Sequence, residues 1–269
     1  MTKYKHIALI TDFGLDDNFV GVIKGVIYNI NPNLNIIDIT HNISPQNIIE
    51  ASFLLENSYK YFPEGTIFLC VVDPGVGTER KVIILKQRKK IFIAPDNGIL
   101  SFLLHEHKTK EIYYLKLPNK YIPFPQSNTF HGRDIFAPLA GFISKGINIK
   151  KLCVPLNNLN KIKKIEFPSI IEKETLIKGK IIYIDRFGNC ISNISKEKFF
   201  NFVKNKKFCI KIKNLKIKKI SKNYQAKEKW GALFNSFNLL EIFATNKNAS
   251  KRFEIKINQQ ITVVSLPPG

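Results

Sequence analysis

The chain has 269 residues, 44% of them hydrophobic, and its 42 lysines and arginines against 21 aspartates and glutamates give a formal net charge of +21. This length predicts one or two domains with enough apolar material for a buried core. The sequence contains no run of roughly 20 apolar residues that could span a membrane, and no secretory leader is recognisable at its start. We therefore expect a globular cytoplasmic protein without membrane contact.

The positive charge invites comparison with nucleic-acid-binding proteins. The lysines of the second half mostly alternate with apolar residues, as in Lys216-Ile217-Lys218, which is typical of the solvated face of strands. No aromatic-basic motif of the common nucleic-acid-binding modules accompanies them. We therefore expect no nucleic-acid partner, and a basic nucleic-acid-binding protein is kept as an alternative from a different functional class.

The four cysteines, Cys70, Cys153, Cys190 and Cys209, are far apart and form no Cys-x-x-Cys pair. Zinc sites and redox motifs depend on such close spacing. Cys70 lies inside an apolar run that reads as a buried strand. We therefore predict reduced thiols in the core rather than disulfides or a metal site.

Apolar runs alternate with helical patterns in the first part of the chain, which predicts a βαβαβ arrangement in a parallel sheet buried on both faces. In chain order we predict a strand at 7–10, a helix capped by Asp16 or Asp17 and ending at Asn31, a strand at 35–39, a helix from Ser44 to about Tyr61 and a strand at 67–72. Strands at 81–86, 91–94 and 112–116 and a helix at 135–145 follow.

The pattern changes near Phe167-Pro168, where short strands with alternating polarity begin. We predict strands at 178–184, 208–212, 215–220, 230–234, 253–257 and 261–264. Such a series is typical of a small barrel or sandwich. The predicted fold is therefore an α/β domain with a mainly parallel sheet over residues 1–167, followed by an all-β, barrel-like domain over residues 168–269.

Carboxylates follow the first strand, in the segment Thr11-Asp12-Phe13-Gly14-Leu15-Asp16-Asp17. A carboxylate at this edge of a parallel sheet can accept two hydrogen bonds from a ribose diol, so Asp12 and Asp17 are candidate ligand-binding residues. They could equally serve as turn and helix-cap residues. The spacing also resembles the calcium loop of nucleoside N-ribohydrolases, but Ile10 stands where that family has a further Asp, which would leave the oxygen shell incomplete.

Asp73, Arg80 and His131 are the strongest catalytic candidates. Asp73 follows the 67–72 strand, Arg80 lies seven residues later, and His131 precedes Gly132 in a glycine-containing loop. Arginine occurs only five times in the chain, so we expect Arg80 to be used for the fixed fork of its guanidinium. A carboxylate, an imidazole and this cation can polarise a water molecule without a metal. The alternative is that Asp73 and Arg80 only brace a strand-to-loop corner.

Together these segments resemble the S-adenosylmethionine hydroxide adenosyltransferases, also called adenosine-forming S-adenosylmethionine hydrolases, which are related to the fluorinases and chlorinases. The resemblance covers nearly the whole chain and also includes Pro63-Glu64-Gly65-Thr66, Ala94 to Gly98, Asp185 to Asn189, and Asn235-Ser236 with Glu241-Ile242. It implies hydrolysis of S-adenosylmethionine to adenosine and methionine, with no cofactor. It also implies a homotrimer whose active sites lie between the N-terminal domain of one subunit and the C-terminal domain of its neighbour.

Carried over position by position, the resemblance implies that Asp73, Arg80 and His131 activate water and that Asp12 binds the ribose diol. Asp17, Asp185 and Ser236 fall on positions that hold the methionine end, and Asn189 and Ala249 on positions that contact adenine. Two departures are Asn238, where the family usually has Gly, and the segment 243–248.

A halogenase is the nearest alternative within the resemblance. Halogenases have Tyr at the position of Asp73, and the fluorinase has Thr and Ser at the positions of Val76 and Gly132. A carboxylate in a dry pocket would repel a halide ion. We therefore expect water to be the nucleophile.

Overall fold

A computed structural model describes residues 4–104, 110–122, 127–204 and 206–266. The chain divides into two compact units, Met1–Ile165 and Glu166–Gly269. Within the described residues, no helix combines the length and apolar character needed to cross a membrane. All four cysteines are buried and free, which confirms the prediction of reduced core thiols.

The described part of the first unit contains one sheet of seven strands. The strands are β1 (His6–Thr11), β2 (Asn35–Thr40), β3 (Thr66–Val71), β4 (Val82–Gln87), β5 (Lys90–Pro95), β6 (Lys110–Leu115) and β7 (Cys153–Pro155). Their order across the sheet is β2-β1-β3-β5-β4-β6-β7. This sheet confirms the α/β class predicted for the first part of the chain.

The sheet is mixed rather than parallel throughout. Strand β1 is parallel to β2 and β3, and β3 is parallel to β5, whereas β4 is antiparallel to β5 and β6, and β6 to β7. The direction changes because β4 and β5 form a hairpin with Arg88 in the left-handed region at φ 55°. A two-residue hairpin can join only antiparallel strands, and neither Arg88 nor Lys89 is a typical turn residue.

Helices cover both faces of this sheet. They are α1 (Phe19–Ile30), α2 (Ile48–Ser58), α3 (Ser101–Leu104) and α4 (Ala137–Ser144), and a π-helical turn over Gly132–Phe136 leads into α4. Helices α1 and α4 pack on one face with Ile23 and Ile27 of α1 in the core. The opposite face packs against α2 through Ala51 and Leu55.

Two helix starts differ from the prediction. Asn18, not Asp16 or Asp17, occupies the N-cap of α1, and its side chain makes no capping hydrogen bond. Helix α2 begins at Ile48 because the side chain of Asn47 accepts a hydrogen bond from the Glu50 main-chain N–H at 3.1 Å. This reciprocal Asn–Glu arrangement defines the helix start more strongly than the Ser44-Pro45 pair.

The described part of the second unit is built on one β-sheet and has two short helices. Its strands are β8 (Ile171–Lys173), β9 (Leu176–Ile184), β10 (Cys190–Ser195), β11 (Phe208–Ile212), β12 (Leu215–Ile217), β13 (Trp230–Phe234), β14 (Leu239–Ala244) and β15 (Gln260–Ser265), and its helices are α5 (Lys196–Val203) and α6 (Ala249–Phe253). The order is β12-β11-β15-β9-β10-β14-β13, with β8 on β9. A bridge between Ile220 and Ala232 joins the two edges, so the barrel-like shape is confirmed.

The predicted strand at 253–257 is wrong. Phe253 ends α6, and Glu254 follows with a left-handed φ of 51°, which no strand residue adopts. The helix forms because the Asn248 side chain caps it by accepting a hydrogen bond from the Lys251 N–H at 2.7 Å. Strands β10 and β14 and helix α5 were not predicted at all.

Candidate active site

The predicted residues of the first unit meet at one edge of its sheet. Strands β1 and β3 are parallel neighbours, so Asp12 after β1 and Asp73 after β3 lie at the same end. His131 lies at the start of the π-helical turn. The residues enclose a cavity of about 410 Å³, lined by Asp12, Phe13, Asp17, Phe19, Pro45, Gln46, Val71, Asp73, Val76, Thr129, Phe130, His131 and Gly132.

Asp73, Arg80 and His131 form a continuous chain of contacts. Arg80 Nε donates to Asp73 Oδ2 at 2.7 Å, and Arg80 Nη2 lies 2.5 Å from the same oxygen. Arg80 Nη2 is also 2.8 Å from His131 Nδ1. The side chains of Asp73 and Arg80 are each only 6% exposed. The guanidinium therefore uses its fork to hold the carboxylate and the imidazole at fixed positions, which a lysine ammonium could not do.

The contact with Arg80 determines which nitrogen of His131 carries the proton. A guanidinium has donors and no acceptor, so Nδ1 must present its lone pair and the proton of the neutral ring lies on Nε2. Burial, together with the positive charge of Arg80, lowers the pKa of His131, while Asp73 and Asp134 oppose the shift. Within the described part of the chain, the buried Nε2 has no hydrogen-bond partner. The site thus contains an unsatisfied N–H donor.

The loop between Asp73 and Arg80 is braced from several sides. The Gly75 N–H donates to Asp73 Oδ1 at 3.2 Å, and the Arg80 guanidinium lies 5.1 Å from the centre of the Phe136 ring. Gly77 has a φ of +78°, and a Cβ there would lie 2.4 Å from the main-chain oxygen of Asn128. Only glycine allows this approach, which accounts for its place in the motif.

One carboxylate oxygen of Asp12 is held by a hydrogen bond. Its Oδ2 accepts a hydrogen bond from the Gln46 main-chain N–H at 2.8 Å. The Gly14 N–H donates to the main-chain oxygen of His41 at 2.8 Å, and Gly14 has a left-handed φ of 67°. Among the described residues, no hydrogen bond to Asp12 Oδ1 is found. This oxygen is therefore available to a ligand.

Asp17 lines the same cavity beside an aromatic wall that sequence reasoning missed. The rings of Phe13, Phe19 and Phe130 lie with their centroids 5.2 to 6.1 Å apart. No hydrogen bond or ion pair to Asp17 occurs within the described part of the chain. These phenylalanines lie next to the polar motifs in sequence, and that proximity is the one signal that could have identified them.

Arg133, the second arginine in a motif, does not join the chain of contacts. Its Nε donates to Asp134 Oδ1 at 2.7 Å, and its guanidinium lies 5.4 Å from the centre of the Phe130 ring. Asp134 also accepts a hydrogen bond from the Ser127 N–H at 2.9 Å. Arg133 and Asp134 thus brace the loop that carries His131.

The second unit has a cavity of its own, of about 570 Å³, lined by Asp185, Phe187, Asn189, Tyr224, Ala244, Asn246, Lys247 and Asn248. Asp185 accepts hydrogen bonds from the main-chain N–H of Asn189 at 2.8 Å and from its side-chain amide at 2.9 Å. Phe187 between them is 76% exposed. The structure therefore brings Asp185 and Asn189 together beside an uncovered aromatic ring.

Family models match both units. A model described as the SAM hydroxide adenosyltransferase N-terminal domain matches residues 7–153, and one described as the SAM hydroxide adenosyltransferase C-terminal domain matches residues 179–262. The chain belongs to the SAM hydroxide adenosyltransferase family. This finding confirms the resemblance drawn from the motifs.

Individual relatives agree with the family assignment. The chain is 33% identical to the (R)-S-adenosyl-L-methionine hydrolase of Methanocaldococcus jannaschii, covering 96% of this chain and 95% of that protein. It is 28% identical to the fluorinase of Nocardia brasiliensis over 70% of each chain. A crystal structure of an uncharacterized conserved protein from Thermotoga maritima is similar with a TM-score of 0.85 at 32% identity, covering 96% of this chain and 99% of that one.

In this SAM hydroxide adenosyltransferase family member, two residues that were predicted to bind substrate, Ser236 and Ala249, line neither of the two cavities. Ser236 is exposed in the turn between β13 and β14. Ala249 is fully buried at the first position of α6, and its neighbour Asn248 lines the cavity. Asn238, where the family usually has Gly, has a φ of 59°, which asparagine tolerates better than most residues. Asparagine at position 238 therefore allows the same turn between β13 and β14 as glycine would.

Sequence reasoning assigned no role to a buried carboxyl behind the second cavity. Glu241 is 2% exposed, and its Oε2 accepts a hydrogen bond from the Asn235 amide at 3.0 Å. Burial raises the pKa of Glu241, the hydrogen bonds from Asn235 and Tyr224 oppose the rise, and the charge of Asp185 adds to it. Asn235 in turn accepts hydrogen bonds from the Phe237 and Leu239 N–H groups. Glu241 therefore supports the turn that carries Ser236.

Proposed function

We propose that this protein hydrolyses S-adenosyl-L-methionine to adenosine and L-methionine. Family membership and relatives named (R)-S-adenosyl-L-methionine hydrolase at 31 to 33% identity support the proposal. The observation that carries it is the series of contacts from Asp73 through Arg80 to His131. It places a carboxylate and an imidazole in the lining of one cavity and leaves His131 Nε2 without a hydrogen-bond partner among the described residues.

In the proposed reaction, water attacks the ribose C5′ from the side opposite the sulfonium. A C–O bond forms, and the C5′–S bond breaks with its electron pair passing to sulfur. Methionine leaves as a neutral thioether and needs no acid. One proton of the water stays on the new 5′-hydroxyl of adenosine, and the other passes to a base and then to solvent.

The tautomer of His131 favours Asp73 as that base. The lone pair of His131 is on Nδ1 and is engaged by Arg80, so the ring offers the water an N–H donor and no free acceptor. In this proposal His131 Nε2 donates to the water oxygen and Asp73 accepts a water proton. Such proton transfer contributes about a hundredfold to ten-thousandfold, and alignment of water with carbon contributes roughly 7 to 11 kcal/mol of the barrier.

The remaining predicted residues would hold the substrate. We assign the ribose diol to Asp12, because its Oδ1 has no partner within the described residues. We assign the methionine end to Asp17 and Asp185, whose carboxylates can bind an ammonium group, and to Ser236, whose hydroxyl can donate a hydrogen bond to a carboxylate. Adenine contacts are assigned to Asn189 and Ala249.

We further propose a homotrimer in which the first unit of one subunit and the second unit of its neighbour form each active site. The family resemblance supports this arrangement, and so does the separation of the candidate residues into two chemically different groups. The test is complementation, at a substrate concentration well below KM, between Asp73→Asn chains, which lose turnover, and Asp185→Asn chains, which bind the substrate weakly. Co-expressed chains should regain activity, because some interfaces then combine two intact halves. Sites built within single subunits would show no recovery.

We propose that catalysis needs no cofactor and no metal, because Arg80 supplies a fixed positive charge beside the reacting groups. Activity should therefore survive dialysis against EDTA. Loss of turnover on chelation, restored by Ca²⁺, would instead favour the ribohydrolase alternative.

The direct test of the proposed function is separation of the products by chromatography. Incubation with S-adenosyl-L-methionine should yield adenosine and methionine in equal amounts. Release of free adenine would contradict the proposal and favour an N-ribohydrolase. Binding of DNA without turnover would favour the basic binding protein.

We also propose that the protein acts in the cytoplasm without a nucleic-acid partner. Its four free, buried cysteines are consistent with a reducing compartment. Fractionation of cells that express a tagged chain would test the location.

A further inference from the structure

A second buried histidine lies directly behind the Asp12 loop and has no part in the proposed water activation. His41 follows β2 and is 3% exposed. Its Nδ1 is 2.7 Å from Thr11 Oγ1, and its Nε2 is 3.0 Å from Asp38 Oδ1. The three side chains therefore form a carboxylate–imidazole–hydroxyl chain of close contacts that ends one residue before Asp12. Its Asp38–His41 link is an electrostatic contact outside hydrogen-bond geometry, and its His41–Thr11 link is a hydrogen bond.

The outer end of this chain is a charged carboxylate. Asp38 Oδ2 accepts a hydrogen bond from Lys24 Nζ at 2.6 Å. Burial raises the pKa of Asp38, but the hydrogen bond from Lys24 and the close contact with His41 outweigh it, so the net pKa is lowered. A carboxylate facing Nε2 places a proton on that nitrogen. His41 Nδ1 is then free to accept the proton of the Thr11 hydroxyl.

Thr11, at the inner end of the Asp38–His41–Thr11 chain, determines the position of the Asp12 loop. Thr11 Oγ1 accepts a hydrogen bond from the Phe13 N–H at 3.3 Å, and the His41 main-chain oxygen accepts one from the Gly14 N–H at 2.8 Å. Asp12 thus lies between two attachment points that both lead to His41. A hydroxyl that donates to an imidazole while accepting from a main-chain N–H has a single orientation.

We propose that the Asp38–His41–Thr11 chain positions Asp12 for recognition of the ribose diol. Thr11 and His41 are positioning residues in this proposal, since neither lines the cavity. The inference rests on the proposed function, in which Asp12 holds the 2′- and 3′-hydroxyl groups. It predicts that breaking the chain removes the preference for a ribose over a 2′-deoxyribose.

The test compares the dissociation constants of adenosine and 2′-deoxyadenosine, measured by calorimetry on the full chain. Hydrogen bonds to a charged group are the strong ones, so the wild type should bind adenosine about tenfold more tightly. Thr11→Val should lower this ratio to about one while leaving the affinity for 2′-deoxyadenosine unchanged. Thr11→Ser keeps the hydroxyl and should restore the wild-type ratio.

Thr66→Val is the matched control. Thr66 is fully buried at the start of β3, and its hydroxyl donates to the Pro63 main-chain oxygen at 2.8 Å. This variant removes the same buried group from the opposite edge of the sheet. It should lower thermal stability as Thr11→Val does and leave the preference for adenosine intact.

Two variants of His41 test whether its contact with Thr11 or its contact with Asp38 positions the Asp12 loop. In His41→Asn the amide lies near the former Nδ1 and can still reach Thr11, whereas in His41→Gln it lies near the former Nε2 and reaches only Asp38. The preference for adenosine should survive His41→Asn better than His41→Gln.

The inference is wrong if Thr11→Val weakens the binding of both nucleosides equally, or if Thr66→Val changes the ratio of their dissociation constants to the same extent. Either result would indicate a general loss of structure in the unit. Failure of the proposed function would be seen in the wild type itself. Equal binding of the two nucleosides there would overturn both the role of Asp12 and this positioning chain. A preference that is present in the wild type and persists in Thr11→Val would overturn the positioning chain alone.

Discussion

The candidate sites of the first and the second unit differ in how their polar groups are paired. In the first unit, Asp73, Arg80 and His131 are buried and bonded to one another, and one N–H donor is left over. In the second unit, Asp185 and Asn189 lie beside the exposed ring of Phe187. The first arrangement fixes charges and protons in place, and the second offers a flat ring and amide groups. The water-activating chemistry is thus assigned to the first unit, and substrate recognition is shared by Asp12 and Asp17 of the first unit and the groups of the second.

The pairing of charges explains the difference. A buried carboxylate and guanidinium must be paired, and pairing fixes their geometry. In the second unit Asp185 is partly exposed, and its partner Asn189 is 7% exposed and uncharged, so a ligand can replace their contact without leaving a buried unpaired charge. Substitutions of Asp73, Arg80 and His131 should therefore change the rate, and substitutions of Asp185 and Asn189 should change binding.

The largest effect should follow from breaking the chain of contacts in the first unit. Asp73→Asn, Arg80→Lys and His131→Ala should each lower kcat about a hundredfold or more, because each removes part of one proton-handling group. Double variants should lose little more than single ones, since the members act together. Steady-state kinetics measures these effects, and circular dichroism monitors the fold.

Arg80→Lys is the sharpest of these variants, because it keeps the charge and removes only the fork. Wild-type turnover in this variant would show that the geometry of Arg80 is not needed. Unfolding of all three variants would indicate that the residues only brace the loop.

A smaller effect, on binding, is expected in the second unit. Asn189→Ala removes the side-chain amide that contacts Asp185, so KM should rise about tenfold with kcat within a factor of three. The same kinetic assay measures both constants. A fall in kcat without a change in KM would contradict the division of roles between the units.

The pH dependence should reflect His131. Burial and the charge of Arg80 lower its pKa, so the ring should stay neutral as the pH falls through the ordinary imidazole value of about 6.5. Its protonation at still lower pH would place an N–H against Arg80 and abolish activity. An NMR titration of the ring, assigned with His131→Asn, measures the midpoint. A midpoint above 6.5 would contradict the proposed tautomer.

No effect is expected from halide. By the family resemblance Asp73 stands where the halogenases have Tyr, and Asp73 lines the cavity, so chloride or fluoride at high concentration should give no 5′-halogenated adenosine. Mass spectrometry of the reaction mixture tests this. Detection of such a product would mean that the nucleophile occupies a different position.

Much of the fold follows from local patterns. The apolar runs predicted β1 and β3, and the change in polarity near residue 167 predicted an all-β second part. The antiparallel half of the first sheet was not predicted, because the Arg88-Lys89 turn lacks glycine and asparagine and depends on strand pairing. The segment 253–257 was misread because the capping of α6 by Asn248 outweighs its alternating polarity.

In the candidate site, too, some features follow from the local sequence and others only from the tertiary structure. Sequence alone proposed Asp12, Asp73, Arg80 and His131 as candidates, because carboxylates after buried strands and a rare arginine are visible as local motifs. The tertiary structure decided the tautomer of His131 and the contact between His41 and Thr11, which are 30 residues apart in sequence. Proton positions depend on which donor faces which acceptor, and only the folded chain determines that pairing.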